Sequence, residues 1–400
     1  MRMHLRLACR LALKLILAVA LPAGLTGCWS KQELNDRTFV STLIVDLTEE
    51  GETEISTMFM LPNRISVGLN AAPGDEKPYV MVSGKGRDTS EAFQQIQKDL
   101  PRSVAWGQMR AVIVGDRYAR AGMAPLLEFL LRATDFRLRI YVFYFDGEAR
   151  SLGKLTPLFE RFPTEIWRES AHSRHVPPVS IRDLLYAQWN NLGDAYIPEL
   201  TLRELRLLTE DKPVEWSGVG GAALVKNNAV IGKFSENEMV GISLMKNGTP
   251  EIIVTASLPD GGMFSARLSD VKQRTKAARR GGKVYIQVSI RGQADLVTLQ
   301  SKMNMSDPAS LKTIEQALNK RIREMAQSAA DRAQEERADV FQWSEFIKYK
   351  YPSLWARWSD GLRENLFLRM KPDIRADVRL RSTGVSRSSR VSATGGGPAS

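Results

Sequence analysis

Apolar positions along the chain switch repeatedly between a spacing of two and a spacing of three to four, which predicts alternating strands and helices. Phe39–Leu47 (FVSTLIVDL) and Glu54–Leu61 (EISTMFML) are β-branched, apolar runs separated by the polar turn Glu49–Glu52. Asn63–Pro78, with two prolines and two glycines, reads as a loop, and Tyr79–Ser83 as a short strand. Asp88-Thr89-Ser90-Glu91 is a capping box that opens a helix with Phe93, Ile96 and Leu100 on one face, and Pro101 stops it. Met109–Val114 is almost continuously apolar, as a strand covered on both faces would be. A second helix is predicted over Tyr118–Arg132, followed by a strand at Leu138–Phe145. That order favours crossover connections and a mixed or parallel sheet. Residues 151–200 read as short helices with proline breaks.

The polar stretch Leu208–Val214 suggests a domain boundary. Beyond it, Gly218–Val225 and Ala229–Ile231 predict a hairpin turning at Lys226–Asn228. Ser235–Glu238 is a second capping box, with Phe234 and Met239 placed for a hydrophobic staple. Strands are predicted at Glu251–Leu258, Phe264–Val271 and Lys283–Arg291, with Lys272–Lys283 (KQRTKAARRGGK) as a basic turn between the last two. Asp307-Pro308 opens a long helix whose apolar face runs through Leu311, Ile314, Leu318, Ile322, Met325 and Ala329. Asp339–Trp358 is aromatic-rich, and Asp373–Leu380 alternates as a half-exposed strand. The expected fold is mixed α/β (α+β), with mixed sheets flanked by helices and the long helix of the C-terminal half packed on a sheet. The expected domains are 28–208 (α/β) and 209–384 (α+β), the second open to subdivision near residue 262. A Ser/Gly/Arg-rich tail follows, read as disordered from Thr383 and set apart as residues 385–400.

The amino terminus changes this picture. Arg2, Arg6, Arg10 and Lys14 precede the apolar run Leu15–Leu21, which is far shorter than the roughly 20 residues needed to span a bilayer. It ends in Leu25-Thr26-Gly27-Cys28, which resembles a bacterial lipobox. The expectation is a signal peptide over residues 1–27, cleavage between Gly27 and Cys28, and acylation of the Cys28 thiol. No cofactor is expected beyond that diacylglycerol thioether and an N-linked, palmitate-type acyl chain. Removing residues 1–27 takes the formal net charge from +11 to +7 and leaves Cys28 as the sole cysteine, so no disulfide or cysteine metal site is expected. The basic balance suits a surface beside anionic lipid or wall polymer. Nucleic acid conflicts with export, and neither zinc spacing nor an RNA-binding signature is present.

Candidate chemistry is sparse. His172 and His175 have the spacing of a metal pair, yet no third ligand is evident and Arg174 lies between them; solvated histidines explain them as well. Gly84-Lys85-Gly86-Arg87 could hold an anion at a helix start but lacks the phosphate-loop spacing. Gly218–Gly221 lacks the rest of a dinucleotide loop, and neither a nucleophile elbow nor a zinc-protease motif occurs. Lys272, Arg274, Lys276, Arg279 and Arg280 read equally as a contact to anionic headgroups or as a solvated hairpin that blunts a sheet edge. The aromatic run Phe341–Trp358 could face a partner or pack under the long helix. The residues therefore point to an anchored, non-enzymatic envelope protein.

Several stretches resemble the Ger(x)C family of spore germination lipoproteins, the C subunits of nutrient germinant receptors. They are Gly27-Cys28-Trp29 with Glu33-Leu34-Asn35-Asp36, the segments Ala119–Arg139 and Gly221–Gly241, and Asp339–Trp355 (DVFQWSEFIKYKYPSLW), in family order. The resemblance implies a mixed α/β fold in three domains and no enzyme activity. It also implies two membrane-spanning partner subunits and a place on the outer face of the cytoplasmic (spore inner) membrane. There the protein would serve nutrient-triggered germination. Only Cys28 carries over as a functional residue. Gln108 stands where many members have a histidine, so a role tied to that histidine is not expected. The rival reading is an extracytoplasmic solute-binding lipoprotein that captures a small nutrient itself.

Overall fold

A computed structural model describes residues 12, 14, 33–61, 64, 77–133, 135–155, 157–172, 176–189, 192–208, 213–246, 252–358 and 361–382. The leader apart from residues 12 and 14, including Gly27, lies outside the described residues, as do Cys28, most of the Asn63–Pro78 loop, His175 and the tail.

The first strands are β1 (Arg37–Leu47), β2 (Thr53–Met60), β3 (Tyr79–Gly86), β4 (Ser103–Ala105), β5 (Ala111–Gly115) and β6 (Tyr141–Phe145). With β7 (Ala195–Leu205), β8 (Val214–Lys226) and β9 (Ala229–Phe234) they form one nine-stranded sheet, ordered β3-β2-β1-β5-β6-β7-β8-β9 with β4 beside β1. Its centre, β1-β5-β6-β7, is parallel, and the flanks are antiparallel. Helices cover both faces. α1 (Thr89–Asp99), α2 (Asp116–Ala121), α3 (Ala124–Arg132) and α5 (Ile181–Trp189) enclose the core containing Leu43, Val112 and Val142. α4 (Pro163–His172) and a 3-10 turn at Ala149–Lys154 close the other, around Ile44, Ile113, Phe143 and Trp167. Double coverage accounts for the continuous apolar run at Met109–Val114.

Two expectations need correction here. The single helix over Tyr118–Arg132 is two helices, because Gly122 sits at φ +121° and Pro125 opens the second. The freed Met123 N–H donates to the Asn228 carbonyl, 2.8 Å away. Residues 195–205 form a strand rather than helix; Pro198 lies at a register shift against β8, one of the few places a sheet accepts proline. β7 and β8, on either side of the polar stretch Leu208–Val214, pair antiparallel in the same sheet, so the large sheet takes strands from both sides of position 208.

α6 (Glu236–Leu244) follows with its capping box intact: Ser235 Oγ accepts from the Glu238 N–H, and Glu238 accepts from the Ser235 N–H at 2.8 Å. A second sheet is built from β10 (Ile252–Ser257), β11 (Met263–Arg280), β12 (Lys283–Gln300) and β13 (Met370–Ser382), in that order. The long helix α7 (Pro308–Glu335) is capped by Asp307 and buries Ile314, Leu318, Ile322 and Met325 against it. Asn319 of α7 clasps β13 with two 2.8 Å hydrogen bonds to the Val378 backbone. α6 packs on α7 where Gly241 leaves no room for a Cβ against the Met325 carbonyl. Helices α8 (Trp343–Lys350), α9 (Pro352–Trp358) and α10 (Leu362–Arg369) lead into β13.

The basic turn predicted at Lys272–Lys283 is mostly strand. β11 and β12 pair from Met263↔Gln300 to Arg280↔Lys283, and the turn shrinks to Gly281-Gly282, at φ +55° and +78°. Two positive φ values make a tight hairpin turn, for which the Gly-Gly pair is itself the sequence signal. A bulge at Asp270 (φ +52°) inserts one residue, so the inward set changes from Phe264, Ala266 and Leu268 to Val271 and Ala277. The bulge thus keeps Val271 and Ala277 against the core on the same side as Phe264, Ala266 and Leu268.

Candidate functional site

Alternation along β11 sorts the predicted basic residues. Lys272, Arg274, Lys276 and Arg280 share the outer face, while Arg279 falls with Ala277 on the side toward the helices. All five are exposed, and among the described residues none forms an ion pair. Across the hairpin Arg291 stands opposite Lys272, and Lys283 opposite Arg280. On β13 the outer face alternates sign and neutralises itself: Arg375 binds Asp373 at 2.9 Å and Arg379 reaches Asp377 at 3.6 Å. The concentrated positive charge therefore lies on β11 and at the hairpin end.

The aromatic run divides. Phe341, Trp343, Leu354 and Trp358 are buried, whereas Phe346 and Tyr349 face solvent. The start of α8 is fixed by Asp339, whose carboxylate accepts from the Trp343 and Ser344 N–H groups at 2.8 and 2.9 Å. Burial pushes the Asp339 carboxyl up to about 6 against those hydrogen bonds.

A polar knot that sequence reasoning missed ties α10 to the large sheet. Asp194, its side chain 1% exposed, receives Arg363 through two nitrogens at 2.6 and 2.9 Å. It also accepts from the N–H groups of Asp339 (2.7 Å) and Asn227 (3.1 Å). Four segments far apart in sequence meet there, and only Asn227, in the turn Lys226–Asn228, carried a local signal.

Near the knot a cleft of about 680 Å³ opens between α5, β7, the end of α6 and the segment Val340–Gln342 that precedes α8. Arg139, Arg182, Asp183, Tyr196 and Lys246 line it. Lys246 stacks its ammonium over the Tyr196 ring at 5.5 Å, and burial lowers its pKa.

The remaining candidates have structural explanations. Gly84 and Gly86 belong to β3, and a Cβ on either would strike the backbone of α1, so they serve close packing. Gly221 lies in β8, where a Cβ would strike the Phe234 carbonyl. His172 is exposed at the end of α4, and among the described residues no three His, Cys, Asp or Glu side chains gather to hold a metal ion. Gln108 is exposed beside Arg110, 3.4 Å away. Among the described residues no helix is long and apolar enough to cross a membrane.

Residues 30–202 match the family described as "Spore germination protein N-terminal domain", and residues 220–384 match "Spore germination B3/GerAC like, C-terminal". Over 331 residues the chain is 26% identical to YfkR of Bacillus subtilis (strain 168), a protein named for spore germination, covering 82% of this chain and 85% of that one. It is 23% identical over 398 residues to spore germination protein KC of the same organism, covering 94% and 96%. The solved structure of the GerBC protein superposes with a TM-score of 0.55 at 16% identity, over 85% of this chain and 96% of that one, which establishes a shared fold.

Proposed function

Because the chain belongs to the spore germination family, carrying both its N-terminal and its GerAC-like C-terminal domain, we propose that it is the lipid-anchored subunit of a nutrient germinant receptor. It works without catalysis, by assembling with membrane-spanning partner subunits on the outer face of the cytoplasmic membrane of the spore. The observation that carries this reading is the order of the parts: the first family domain begins at residue 30, two positions after Cys28 and its lipobox-like approach. Acyl chains on Cys28 hold the body at the bilayer, each buried methylene contributing about 0.8 kcal/mol. Confinement raises the effective concentration at the partners, so a modest interface suffices.

Cys28→Ala tests it. The variant is expected to stay unprocessed or to leave the membrane, and germination in response to nutrient is expected to fall. Wild-type germination with the variant fully released would refute the anchoring role. Solute capture is a second reading, favoured by the cleft beside Lys246: its size suits a small molecule, and Arg139, Arg182 and Lys246 suit an anionic group. Saturable heat of binding with candidate nutrients, abolished by Lys246→Met, would favour it over a purely assembling subunit.

A further inference from the structure

We propose that the Gly281-Gly282 end of the small sheet, with the adjoining ends of α8 and α10, docks on a bilayer carrying anionic headgroups. The proposal rests on the lipid-anchor reading above. Three elements converge here. Arg279, Arg280 and Lys283 flank the hairpin turn. Lys350 donates to the Ala277 carbonyl at 2.6 Å, which brings the end of α8, with Lys348, against β11 two residues before Arg279. Lys371, the second residue of β13, pairs with Tyr285, two residues on from Lys283. The segments 277–285, 346–350 and 366–371 contain no acidic residue, and the nearest along β13, Asp373, is taken by Arg375 at 2.9 Å. Two apolar side chains project from the same end: Tyr349, 82% exposed, and Leu368, 73% exposed. Cations beside projecting tyrosine and leucine suit the headgroup layer, where charge meets phosphate and the apolar parts enter the acyl boundary.

The position of this end fits a bilayer better than an acidic protein. β1, β5, β6 and β7 are parallel, so their first residues lie along one edge of the large sheet. Arg37 opens β1 at that edge, and Asp194, just before β7, grips Arg363 there. From Arg363, α10 leads to Leu368 in about 8 Å, and Lys371 follows three residues later in β13. Glu33, just before the 3-10 turn Leu34–Asp36 that leads into Arg37, is five residues from Cys28, a reach of up to about 18 Å. The attachment point and the basic end can therefore touch one surface.

Hydrogen–deuterium exchange of the full chain, held on vesicles by its own amino-terminal segment, tests this. One vesicle set is phosphatidylcholine alone; the other holds roughly a quarter phosphatidylglycerol. The expected result is protection of residues 277–285, 346–350 and 366–371 on the anionic set only, with β5 and β6 exchanging equally on both. The triple variant Arg279→Gln, Arg280→Gln, Lys283→Gln is expected to lower the docked-to-free ratio about a hundredfold, at roughly fivefold per cation. Equal exchange on both sets overturns the proposal. So does protection by inorganic phosphate on neutral vesicles, which means a free-anion site, or protection that needs partner subunits, which means an acidic protein face. The mass of the amino terminus separates the two readings. A bare Cys28 removes the acyl anchor, yet the uncut leader still presents the chain to the vesicle and the exchange comparison still decides.

Discussion

Residues 40–46 of β1 are all buried whichever face they point to, whereas along β11 every buried residue lies on the inward side. The large sheet is covered on both sides and the small one on a single side, by α7. Covering both faces forces polar groups of the central strands into the interior, where each needs a partner. Ser41, Thr42 and Thr164 answer one another within hydrogen-bonding distance, and Trp167 donates to Ser217 at 2.9 Å. Asp46, its pKa raised by burial, accepts from the Leu47 and Ala149 N–H groups. The small sheet spends its polar residues in water instead, which leaves the outer side of β11 free to carry four cations. The large sheet is built for rigidity, and the small one offers a surface.

The sharpest way to break this comparison is at the joint between the two. Asp194→Ala would strand the Arg363 guanidinium, 14% exposed, without its counter-charge. A loss of about 3–5 kcal/mol is expected, the usual result of removing one partner of a buried pair. Urea midpoints of wild type and variant measure it. A loss below about 1 kcal/mol would mean that the knot is solvated and does not weld the C-terminal helices to the large sheet.

Next in size is a pH effect at the same joint. Burial holds the folded Asp339 carboxyl at about 6 against a usual value near 3.8. Between those values the unfolded chain releases a proton that the folded chain keeps, so this group favours the fold at low pH and loses that advantage as pH rises through 6. The slope amounts to about 3 kcal/mol. Asp339→Asn is expected to flatten it, so the variant's stability relative to wild type improves from pH 4 to pH 7. A difference that stays constant with pH would show that Asp339 titrates normally. Asn keeps one acceptor for the Trp343 and Ser344 N–H groups, and its fixed cost of about 1 kcal/mol does not vary with pH.

What was legible in the sequence divides along the same line. One-sided elements announced themselves. The spacing of Leu311 to Ala329 gave the long helix, and the alternation of Asp373–Leu380 gave β13. The caps at Asp88, Ser235 and Asp307 all accept hydrogen bonds from the first turns of their helices. The two-sided sheet was harder. β7 was hidden because Pro198 reads locally as a breaker, and only its partner strand shows that a register shift accommodates it. The stretch between β7 and β8 falls between the two matched family segments, yet polarity does not record that these strands pair in one sheet. Of the candidate surface, the five basic residues were visible as a group, but Arg279's separation from the other four depends on register. The contributions of Lys348, Lys350 and Lys371 depend on α8 and β13 arriving at the same end. The Asp194–Arg363 pair spans 169 residues and leaves no local pattern.

The smallest expected effect sharpens the contrast most. Lys272→Gln, Arg274→Gln and Lys276→Gln together change three side chains on the outer face of β11, all exposed and none in an ion pair among the described residues. Surface changes of this kind stay within about 0.5 kcal/mol each. Here relief of like-charge repulsion between neighbours two apart on one face offsets any lost β-propensity, so the triple variant should unfold within about 1 kcal/mol of wild type. Val288→Ala on the inward face of β12, opposite Thr275, removes a buried side chain and should cost more than the three outward changes combined. Chemical denaturation of both variants decides the matter. If the outward triple proves the costlier, the outer side of β11 is covered in the folded protein, and the small sheet is two-sided after all.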